Sequence, residues 1–456
     1  MIALGPFVGH TTQTSTRLWV RCEGGVNSVV DILPGNVGLA TDVTDLDRGV
    51  FLLDVEGLTP ATAYTIVVRD GTGAPIGAPV RVTTASAAPT TLRLWFGSCY
   101  SRHNGAGVWD TMFKRMPIAR PDALFLLGDQ AYADDSREWP GQQLPFTTQS
   151  GAALEASYES LYERSWSNSF VASVLASVPT YMTWDDHDLI DDWGSDPRKR
   201  VTDANAKVQY DVISRVYRRY QRSLGPGVPG DPLDYGVQIG TIAVYMMDLR
   251  SERGLDPASP IVGEAQHGRL SNWISGLGDE VQLLVVGASV PITFVNQSTI
   301  KAGMDDNKDL QFDLADQWNY PGRPPTLNDN RPELSRLLGT LCAWQQSGRQ
   351  VMVVGGDVHM AYGHKLRSKD GKEILSLVTS PLAGDPIDEF KQQLLEAGVV
   401  YKNHLVVPDY RGACLVDEVI FDANFGELVL DTQKGKYSFS IIRSNAVSEQ
   451  ICAGKL

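Results

Sequence analysis

The chain has 456 residues, of which 43% are hydrophobic and 21% charged, a composition typical of globular proteins with two or three domains. Its net charge of −14 argues against a nucleic-acid-binding face or a surface for anionic membranes, since both need basic residues. A phosphate substrate is not excluded, because bound cations reverse the local field. No run of about 18 apolar residues is present, so no membrane span is predicted.

The N-terminus and the cysteines bear on the compartment. Residues 1–6 show neither an apolar signal segment nor a twin-arginine pair. The five cysteines are scattered and odd in number, which does not indicate a disulfide framework. We therefore expect a cytoplasmic protein, or a periplasmic or secreted one if a leader has been removed. The sequence does not indicate an oligomeric state.

Residues 1–88 are predicted to form an all-β sandwich of the immunoglobulin or fibronectin III type. Residues 16–22 and 64–69 are rich in β-branched and aromatic side chains and are bounded by turn residues. Residues 57–64 resemble the fibronectin type III turn, in which a tyrosine hydroxyl bonds back to the preceding loop. We expect Tyr64 to have this structural role. The small and proline-broken residues 85–90 are predicted to form a linker.

Residues 89–456 show the pattern of an α/β domain. Short apolar runs that predict buried strands occupy residues 92–96, 124–127, 180–184, 242–247, 283–286, 351–354 and 375–378. Between them lie stretches of helical period, such as residues 210–224 and 334–344. The arginines of the first stretch (215, 218, 219 and 222) are expected on a solvated helix face. The strand-like residues 412–442 are expected to extend or cap the sheet.

Four of the predicted strands end in side chains that can bind metals. The endings are Gly97-Ser98-Cys99-Tyr100, Gly128-Asp129-Gln130-Ala131-Tyr132, Trp184-Asp185-Asp186-His187-Asp188 and Gly356-Asp357-Val358-His359. A single Gly-Asp ending is ordinary turn chemistry. Burying this many carboxylates together would be very costly without cations. Because ligand sites lie at the carboxyl ends of parallel strands, the four endings together predict a metal centre.

The candidate ligands differ in softness, which predicts two different metals. The thiolate of Cys99, the phenolate of Tyr132 and the imidazole of His359 suit Fe³⁺. The oxygen-only ligands Asp186 and Asp357 suit Ca²⁺, or alternatively Mg²⁺ or Mn²⁺. A carboxylate can bridge two cations, and Asp129 can bridge both metals in this way. Two-metal sites catalyse in-line displacement at phosphorus, in which one cation activates water.

Other candidates surround these ligands. His187 is placed to protonate the leaving oxygen or to hold a phosphoryl oxygen, and Asp185 is either a metal ligand or a residue behind the ligands. Arg250 is a candidate catalytic residue and Arg253 a candidate substrate-binding one, since guanidinium groups fork onto phosphate oxygens. A structural ion pair is the alternative for Arg250. Trp318 either lines a substrate pocket or packs in the core.

These motifs, taken in order, resemble the signature of alkaline phosphatase D (PhoD-like) metallophosphatases. The opening residues 5–9 and the strand of residues 17–21 are similar to the N-terminal β-sandwich of that family. The resemblance implies a sandwich followed by an αββα four-layer metallophosphatase domain, an Fe³⁺ and Ca²⁺ centre, and hydrolysis of phosphomonoesters and phosphodiesters. The GDxxY motif is also similar to that of the purple acid phosphatases, which place an Asp-x-His pair where this chain has Cys99.

The sequence departs from the family in the third motif, which continues as Leu189-Ile190-Asp191-Asp192-Trp193, whereas other members carry Asn or Gly among these positions. Two of these residues, Asp191 and Asp192, bring carboxylates. They are either extra oxygen ligands or part of a solvated acidic turn. The same two alternatives apply to Asp134 and Asp135. The hypothesis is a phosphoric ester hydrolase that uses a metal-bound hydroxide on a small phosphoester. A phosphodiesterase or phosphotriesterase preference is one alternative. A β-sandwich binding or adhesion protein with a degenerate hydrolase domain is the other.

Overall fold

The structure is a computed structural model that describes residues 4–35, 37–196, 204–253, 260–296, 298–299, 301, 308–323, 327–345, 349–387 and 389–456. Its strands are β1 Leu4–Thr11, β2 Ser15–Arg21, β3 Val29–Leu33, β4 Val37–Ala40, β5 Asp42–Asp45, β6 Val50–Glu56, β7 Ala63–Val67, β8 Val80–Thr83, β9 Thr91–Gly97, β10 Ala123–Leu127, β11 Thr180–Thr183, β12 Tyr235–Ile239, β13 Ile242–Met246, β14 Leu283–Gly287, β15 Pro321–Arg323, β16 Leu327–Asp329, β17 Gln350–Gly355, β18 Tyr362–Ser368, β19 Glu373–Val378, β20 His404–Val407, β21 Tyr410–Cys414, β22 Asn424–Asp431, β23 Lys436–Arg443 and β24 Ser448–Lys455.

The α-helices of the described residues are α1 Trp109–Arg115, α2 Pro145–Thr148, α3 Gly151–Trp166, α4 Ser169–Leu175, α5 Ala204–Tyr220, α6 Glu264–Ser275, α7 Lys308–Ala315, α8 Arg331–Trp344 and α9 Glu389–Val399. Short 3-10 helices span Arg102–Asn104, Ser136–Glu138, Asp186–Asp188 and Arg222–Leu224. In the part of the chain that the structure describes, no helix is both long and apolar enough to cross a membrane.

The N-terminal part is all-β, as the sequence predicts. Its two four-stranded sheets have the orders β1-β2-β6-β5 and β4-β3-β7-β8. Side chains from both sheets form one buried cluster, in which Leu18 and Leu53 of the first sheet join Ile32 and Ile66 of the second. The Tyr64 hydroxyl accepts a hydrogen bond from the backbone N–H of Thr59 (2.9 Å), which is the predicted contact. The immunoglobulin-like assignment and a domain boundary at residue 88 remain predictions.

Two larger sheets form the rest of the protein, and they confirm the predicted α/β class. One has the strand order β11-β10-β9-β22-β23-β24 and the other β12-β13-β14-β17-β19-β18-β21-β20. Strands β9, β10 and β11 run parallel in the first sheet, and β13, β14, β17 and β19 run parallel in the second. The C-terminal strands extend the first sheet, because β22 pairs antiparallel with β9.

Three buried apolar clusters hold these sheets and helices together. The cluster between the sheets joins Phe96 and Phe125 of the first to Val285 of the second. A second cluster joins the other face of the first sheet to α1, α3, α4 and α5. A third joins the other face of the second sheet to α6 and α8. The central strands β10, β11, β13 and β14 are buried on both faces, which explains their continuous apolar runs in the sequence.

The N-terminal sandwich packs directly on the helices of the first sheet. Trp19 is fully buried, lies edge-on to Trp166 of α3 with ring centroids 5.8 Å apart, and donates its indole N–H to the Arg219 carbonyl of α5 (2.8 Å). The Arg219 side chain is itself buried and paired with Glu155 and Glu159. The expected solvated arginine face is thus wrong for Arg219 and Arg222, which are both buried; the Leu46 carbonyl of the sandwich accepts from Arg219 Nε.

Candidate metal centre

The carboxyl ends of the parallel strands of both sheets meet at one place. Cys99 follows β9, Asp129 follows β10 and Asp185 follows β11 in the first sheet, while Ser289 follows β14 and Asp357 follows β17 in the second. The backbone N–H of Gly356 donates to the Ser289 carbonyl (2.9 Å) and that of Cys99 to the Gly128 carbonyl (3.2 Å). These bonds fix the strand-end loops relative to each other, so the four predicted endings converge.

Unusual backbone conformations are concentrated in these loops. Cys99, Asp129, Asp357 and His359 all have positive φ, between 53° and 66°. Left-handed backbone costs a non-glycine residue about 1–3 kcal/mol, and such residues cluster at functional sites. Gly128 also has a positive φ, and a Cβ atom there would collide with Asp185. The glycine lets the loops after β10 and β11 come close together.

Four carboxylates meet at the bottom of the site. Oxygen atoms of Asp129, Asp185, Asp186 and Asp357 lie within 4.8 Å of one another. Three oxygens of these carboxylates (Asp129 Oδ1, Asp185 Oδ2 and Asp186 Oδ1) are buried and accept no hydrogen bond, and the guanidinium Nη2 of Arg250 lies 3.5 Å from Asp186 Oδ1. Buried polar atoms are normally satisfied, so this donor set fits a hard cation. A second group, of Asp129, Asp186 and His187, shares two of these carboxylates.

The softer candidates make two close contacts, one of Cys99 with Asp129 and one between Tyr132 and His359. Cys99 Sγ lies 3.4 Å from Asp129 Oδ2, and Tyr132 Oη lies 3.1 Å from His359 Nε2. Burial and the Cys99 charge raise the pKa of Tyr132, while burial lowers the pKa of His359 to about 4 and leaves it a neutral imidazole that can bind a metal. Thiol, phenol and imidazole together fit a transition-metal cation.

Without cations the acidic side chains resist ionisation. Burial, together with Cys99 and neighbouring carboxylates, raises the pKa of Asp129 well above its usual value. Burial and the charges of Asp185 and Asp186 do the same to Asp357. Asp186 is the exception, since Arg250 and His187 outweigh its burial and lower its pKa. Arg250 and His187 therefore do not balance the negative charge of the whole group, and bound metal ions would supply the positive charge that is missing.

His187 stands at the side of the carboxylates with its orientation fixed. Its Nδ1 lies 2.8 Å from Asp134 Oδ2, and its ring stacks on Tyr132 with centroids 4.4 Å apart. Burial opposes the charged imidazole, but Asp134 and Asp186 raise the pKa of His187 well above its usual value. From the sequence, Asp134 could be either a ligand or part of an acidic turn. In the structure its carboxylate contacts His187 on the ring nitrogen Nδ1.

A buried residue without a predicted role holds the centre together. Asp188 is 0% exposed, and its Oδ2 accepts the backbone N–H groups of Asp129 (2.9 Å) and Asp185 (3.0 Å). Its Oδ1 accepts from the Tyr162 hydroxyl (3.2 Å) and from Gln221 Nε2 (2.9 Å). Asp188 thereby ties the loop after β10 to the loop after β11.

Arg250 is not brought to the surface of the pocket. It is 0% exposed; its Nε donates to Asp185, and its Nη1 and Nη2 donate to Asp316 (2.9 and 2.7 Å). Arg250 thus forms the structural ion pair that was the alternative prediction, and its partners lie 65 and 66 residues away in the chain. Ser289, which the sequence did not single out, donates to the same Asp185 oxygen (2.7 Å).

Arg253 and Trp318 also lie behind the pocket. Arg253 donates to the carbonyls of Ala315 (2.6 Å) and Asp316 (2.9 Å) at the end of α7. Trp318 is fully buried and packs in the apolar cluster on the outer face of the second sheet. The described pocket lining includes Asp186, His187, Asp357 and His359, but neither of these two residues.

We expect metal-free protein to lose stability as pH rises from about 4 to about 8. Burial raises the pKa of Asp185 to about 6, of Asp188 to about 7 and of Asp192 to about 8, whereas Asp in an unfolded chain has a pKa of about 3.9. The folded state then holds protons that the unfolded chain has released. Stability is therefore complete below the unfolded pKa and falls as pH passes the folded values.

Melting temperatures of EDTA-treated and metal-loaded protein test this expectation. Because cations replace protons at the centre, metal should raise Tm by at least about 5 °C more at pH 8 than at pH 5. An equal rise at both pH values would contradict the account.

The comparisons with known proteins agree with this geometry. The profile of the PhoD-like phosphatase family matches residues 94–419, which include all four strand endings. The solved structure of PhoD is 14% identical, with a TM-score of 0.67 over 99% of this chain and 92% of that chain, and this likeness shows the fold. No curated protein matches the sequence.

Two further solved structures are more distant. GAP50, the anchor in the inner membrane complex of Plasmodium, is 11% identical over 81% of this chain and 89% of that chain, with a TM-score of 0.41. A dimetal phosphatase from Danio rerio is 9% identical over 79% of this chain and 98% of that chain, also with a TM-score of 0.41. These two add nothing to the assignment, which rests on the family match over most of the length: the chain belongs to the PhoD-like phosphatase family.

Proposed function

We propose that the protein hydrolyses phosphoric monoesters and diesters at a centre of two metal ions. The observation that carries the proposal is the set of three buried carboxylate oxygens without hydrogen-bond donors, on Asp129, Asp185 and Asp186. They converge at the carboxyl ends of the parallel strands, inside the segment that matches a phosphatase family. Such a site binds cations, and a phosphoester is the substrate that paired cations activate.

The proposed metals are Fe³⁺ and Ca²⁺. Cys99, Tyr132 and His359 would hold the ferric ion, because their donor atoms suit it. Asp185, Asp186 and Asp357 would hold Ca²⁺, or Mg²⁺ or Mn²⁺, and Asp129 would be shared. When bound, the two cations supply a water of lowered pKa and positive charge for the pentacoordinate phosphorus.

The acid of the reaction is proposed to be His187. Asp134 accepts its Nδ1–H. The other ring nitrogen, Nε2, lies 3.9 Å from Asp191 Oδ1, a residue of the same pocket lining, and is left to donate a proton to the leaving oxygen. The raised pKa of His187, due to Asp134 and Asp186, keeps that proton available near neutral pH. Asp134 is thus a positioning residue.

For Arg250 we propose a positioning role in place of a catalytic one. Its guanidinium is occupied by Asp185 and Asp316, and its charge lowers the pKa of Asp186 against the effect of burial. Arg250 therefore holds Asp185 in place and keeps Asp186 ionised. Arg253 and Trp318 are proposed to support the wall of the pocket from behind.

A preference for diesters or triesters is the second candidate within this function. Rates on bis(p-nitrophenyl) phosphate and p-nitrophenyl phosphate distinguish the two, and a strong preference for the diester would replace the phosphatase assignment by a phosphodiesterase one. The degenerate hydrolase is not favoured, because the ligand-type residues of all four strand endings are present and converge.

The metal assignment predicts a coloured protein. Tyrosinate and thiolate bound to Fe³⁺ give a charge-transfer band in the visible spectrum, so the purified iron-loaded protein should be coloured and Tyr132→Phe should shift or remove the band. Elemental analysis and a visible spectrum measure this. Tyr100→Phe is the matched control, since Tyr100 is a buried tyrosine outside the proposed ligand set. A colourless, iron-free and fully active enzyme would contradict the assignment of Fe³⁺.

A further inference from the structure

Two serine hydroxyl groups lie around the sulfur of Cys99, and the proposed chemistry does not use them. Cys99 Sγ lies 3.3 Å from the hydroxyl oxygen of Ser98, which immediately precedes it after β9. The second serine is Ser380, in the loop that follows β19. All three residues are 0% exposed, so the sulfur is surrounded by the protein and not by bulk water.

The loop after β19 is held against the loop after β9. The backbone N–H of Leu382 donates to the Ser98 carbonyl (2.8 Å), and that of Ala383 donates to the Cys99 carbonyl (3.1 Å). Ser380 lies two residues before the first of these contacts. The backbone pairing therefore keeps Ser380 close to Cys99, although the two residues are far apart in the chain.

The Ser98 hydroxyl is confined between these loops and the loop after β17. A Cβ atom at Gly356 would collide with Ser98 Oγ, so the glycine leaves just enough room for the hydroxyl. Ser98 Oγ also donates to the Thr379 carbonyl at 3.4 Å, which is long for a hydrogen bond from a hydroxyl group. Ser98 can therefore give up this bond at little cost and turn its hydrogen toward the sulfur.

The Ser380 hydroxyl is buried and has no hydrogen-bond partner in the part of the chain that the structure describes. A buried polar group without a partner is costly, so this hydroxyl calls for an acceptor. Its effect on Cys99 indicates which one. Burial, and after it the charge of Asp357, raises the pKa of Cys99 to about 12, whereas the hydroxyls of Ser380 and Ser98 act against this rise, because they favour the thiolate.

Without a cation the sulfur is placed to donate a hydrogen bond. Cys99 Sγ lies 3.4 Å from Asp129 Oδ2 and 3.5 Å from the Asp357 carbonyl oxygen, and both of these atoms are acceptors. They suit a thiol, whereas a thiolate has no hydrogen to give them. When a cation replaces the thiol proton, which passes to water, the sulfur becomes an acceptor and needs donors. Ser98 and Ser380 supply two.

We propose that Ser98 and Ser380 are positioning residues that donate hydrogen bonds to the Cys99 thiolate when it binds a cation. This inference rests on the metal centre proposed above and deepens it. Hydrogen bonds to a ligand sulfur fix its position and reduce the electron density that it gives to a metal. The two serines thereby leave more positive charge for the phosphoester, and they favour the reduction of an iron ion bound at Cys99.

Cobalt is the probe for this role, because a thiolate bound to Co²⁺ gives a charge-transfer band whether or not the natural metal is iron. In Co²⁺-loaded protein, Cys99→Ser should abolish the band. Ser98→Ala and Ser380→Ala should each shift it to longer wavelength, and the double variant should shift it further, because a sulfur without hydrogen bonds gives up electrons more readily. Chelator competition should show that the double variant binds Co²⁺ about 10-fold more weakly, as is typical when the support of a metal ligand is lost.

Ser101→Ala is the matched control. Ser101 belongs to the same loop, is buried, and has a hydroxyl that also lacks a hydrogen-bond partner among the described residues. The described hydrogen bonds of Cys99 Sγ do not include it, so the variant should leave the band and the affinity unchanged. A purely structural role of Ser380 is tested without metal. EDTA-treated Ser380→Ala should melt at or above the temperature of EDTA-treated wild type, and a lower melting temperature with an unshifted band would assign the hydroxyl to folding alone.

The outcomes separate this inference from the proposed function. A shifted band and a weaker affinity in the serine variants, with Ser101→Ala unchanged, support it. An unchanged band and affinity in the double variant would overturn it and leave the metal centre standing. If wild type lacks the band but hydrolyses bis(p-nitrophenyl) phosphate, Cys99 is not a ligand and the inference fails, while the phosphoesterase function stands. If the band shifts as expected but neither nitrophenyl ester is hydrolysed with any metal, the function fails and the role of the serines stands.

Discussion

Asp129→Asn is expected to lower kcat/KM for phosphoester hydrolysis by about 10³-fold or more, because losing shared metal ligation removes several kcal/mol of transition-state stabilisation. The Asp129 carboxylate lies against the carboxylates of Asp185, Asp186 and Asp357 and against Cys99, so both proposed metals depend on it. Asparagine keeps the shape and one oxygen but loses the charge. Kinetics together with elemental analysis of the purified variant measure both losses.

The same variant should not be less stable without metal. Burial and neighbouring charges raise the pKa of Asp129, so its ionised form is unfavourable when no cation is bound. EDTA-treated Asp129→Asn should therefore melt at or above the temperature of EDTA-treated wild type. Asp122→Asn, at the exposed opposite end of β10, serves as the control and should keep metal and activity. Full metal content in the Asp129 variant would contradict the assignment.

Asp188→Ala is expected to cause the largest loss of stability. The change leaves two backbone N–H groups, a tyrosine hydroxyl and a glutamine amide without their acceptor. Each buried donor without a partner costs about 1–3 kcal/mol, so we expect a loss of at least about 4 kcal/mol in the free energy of unfolding, or no folded protein at all.

Urea unfolding measures the effect, and Asp188→Asn provides a graded comparison. Asparagine retains one acceptor oxygen, so the loss should be smaller than for alanine. If Asp188→Ala unfolds at the same urea concentration as wild type, Asp188 does not hold the two loops together.

The centre could be predicted from sequence because its residues follow buried strands directly. An apolar run that stops at glycine, with Asp129 and Tyr132 behind it, is a local pattern, and the same pattern marks Cys99 and Asp357. The parallel topology then brings these residues together, because the carboxyl ends of parallel strands lie at one edge of a sheet. The roles of these residues as ligands remain proposals, but their convergence is a property of the structure.

The supporting residues could not be predicted in the same way. Arg250 has the sequence context of a catalytic arginine, and only the three-dimensional structure reveals that Asp185 and Asp316 occupy its guanidinium group. Ser289 follows β14 but carries no ligand-type side chain, so no local signal distinguishes it. Asp134 and Asp188 act through partners that lie 53 and 59 residues away. Contacts between residues so far apart in the chain produce no local pattern that a single sequence could show.

The contact between Trp19 and α5 connects the N-terminal sandwich to the candidate metal centre. Trp19 holds the Arg219 carbonyl, and two residues later Gln221 donates to Asp188, which in turn fixes the backbone of Asp129. A rigid path of hydrogen bonds thus runs from the sandwich to the strand ends. Deleting the sandwich would expose Trp166 and Tyr220 and loosen the far end of this path, so the two parts are expected to unfold as one cooperative unit and to be inherited together.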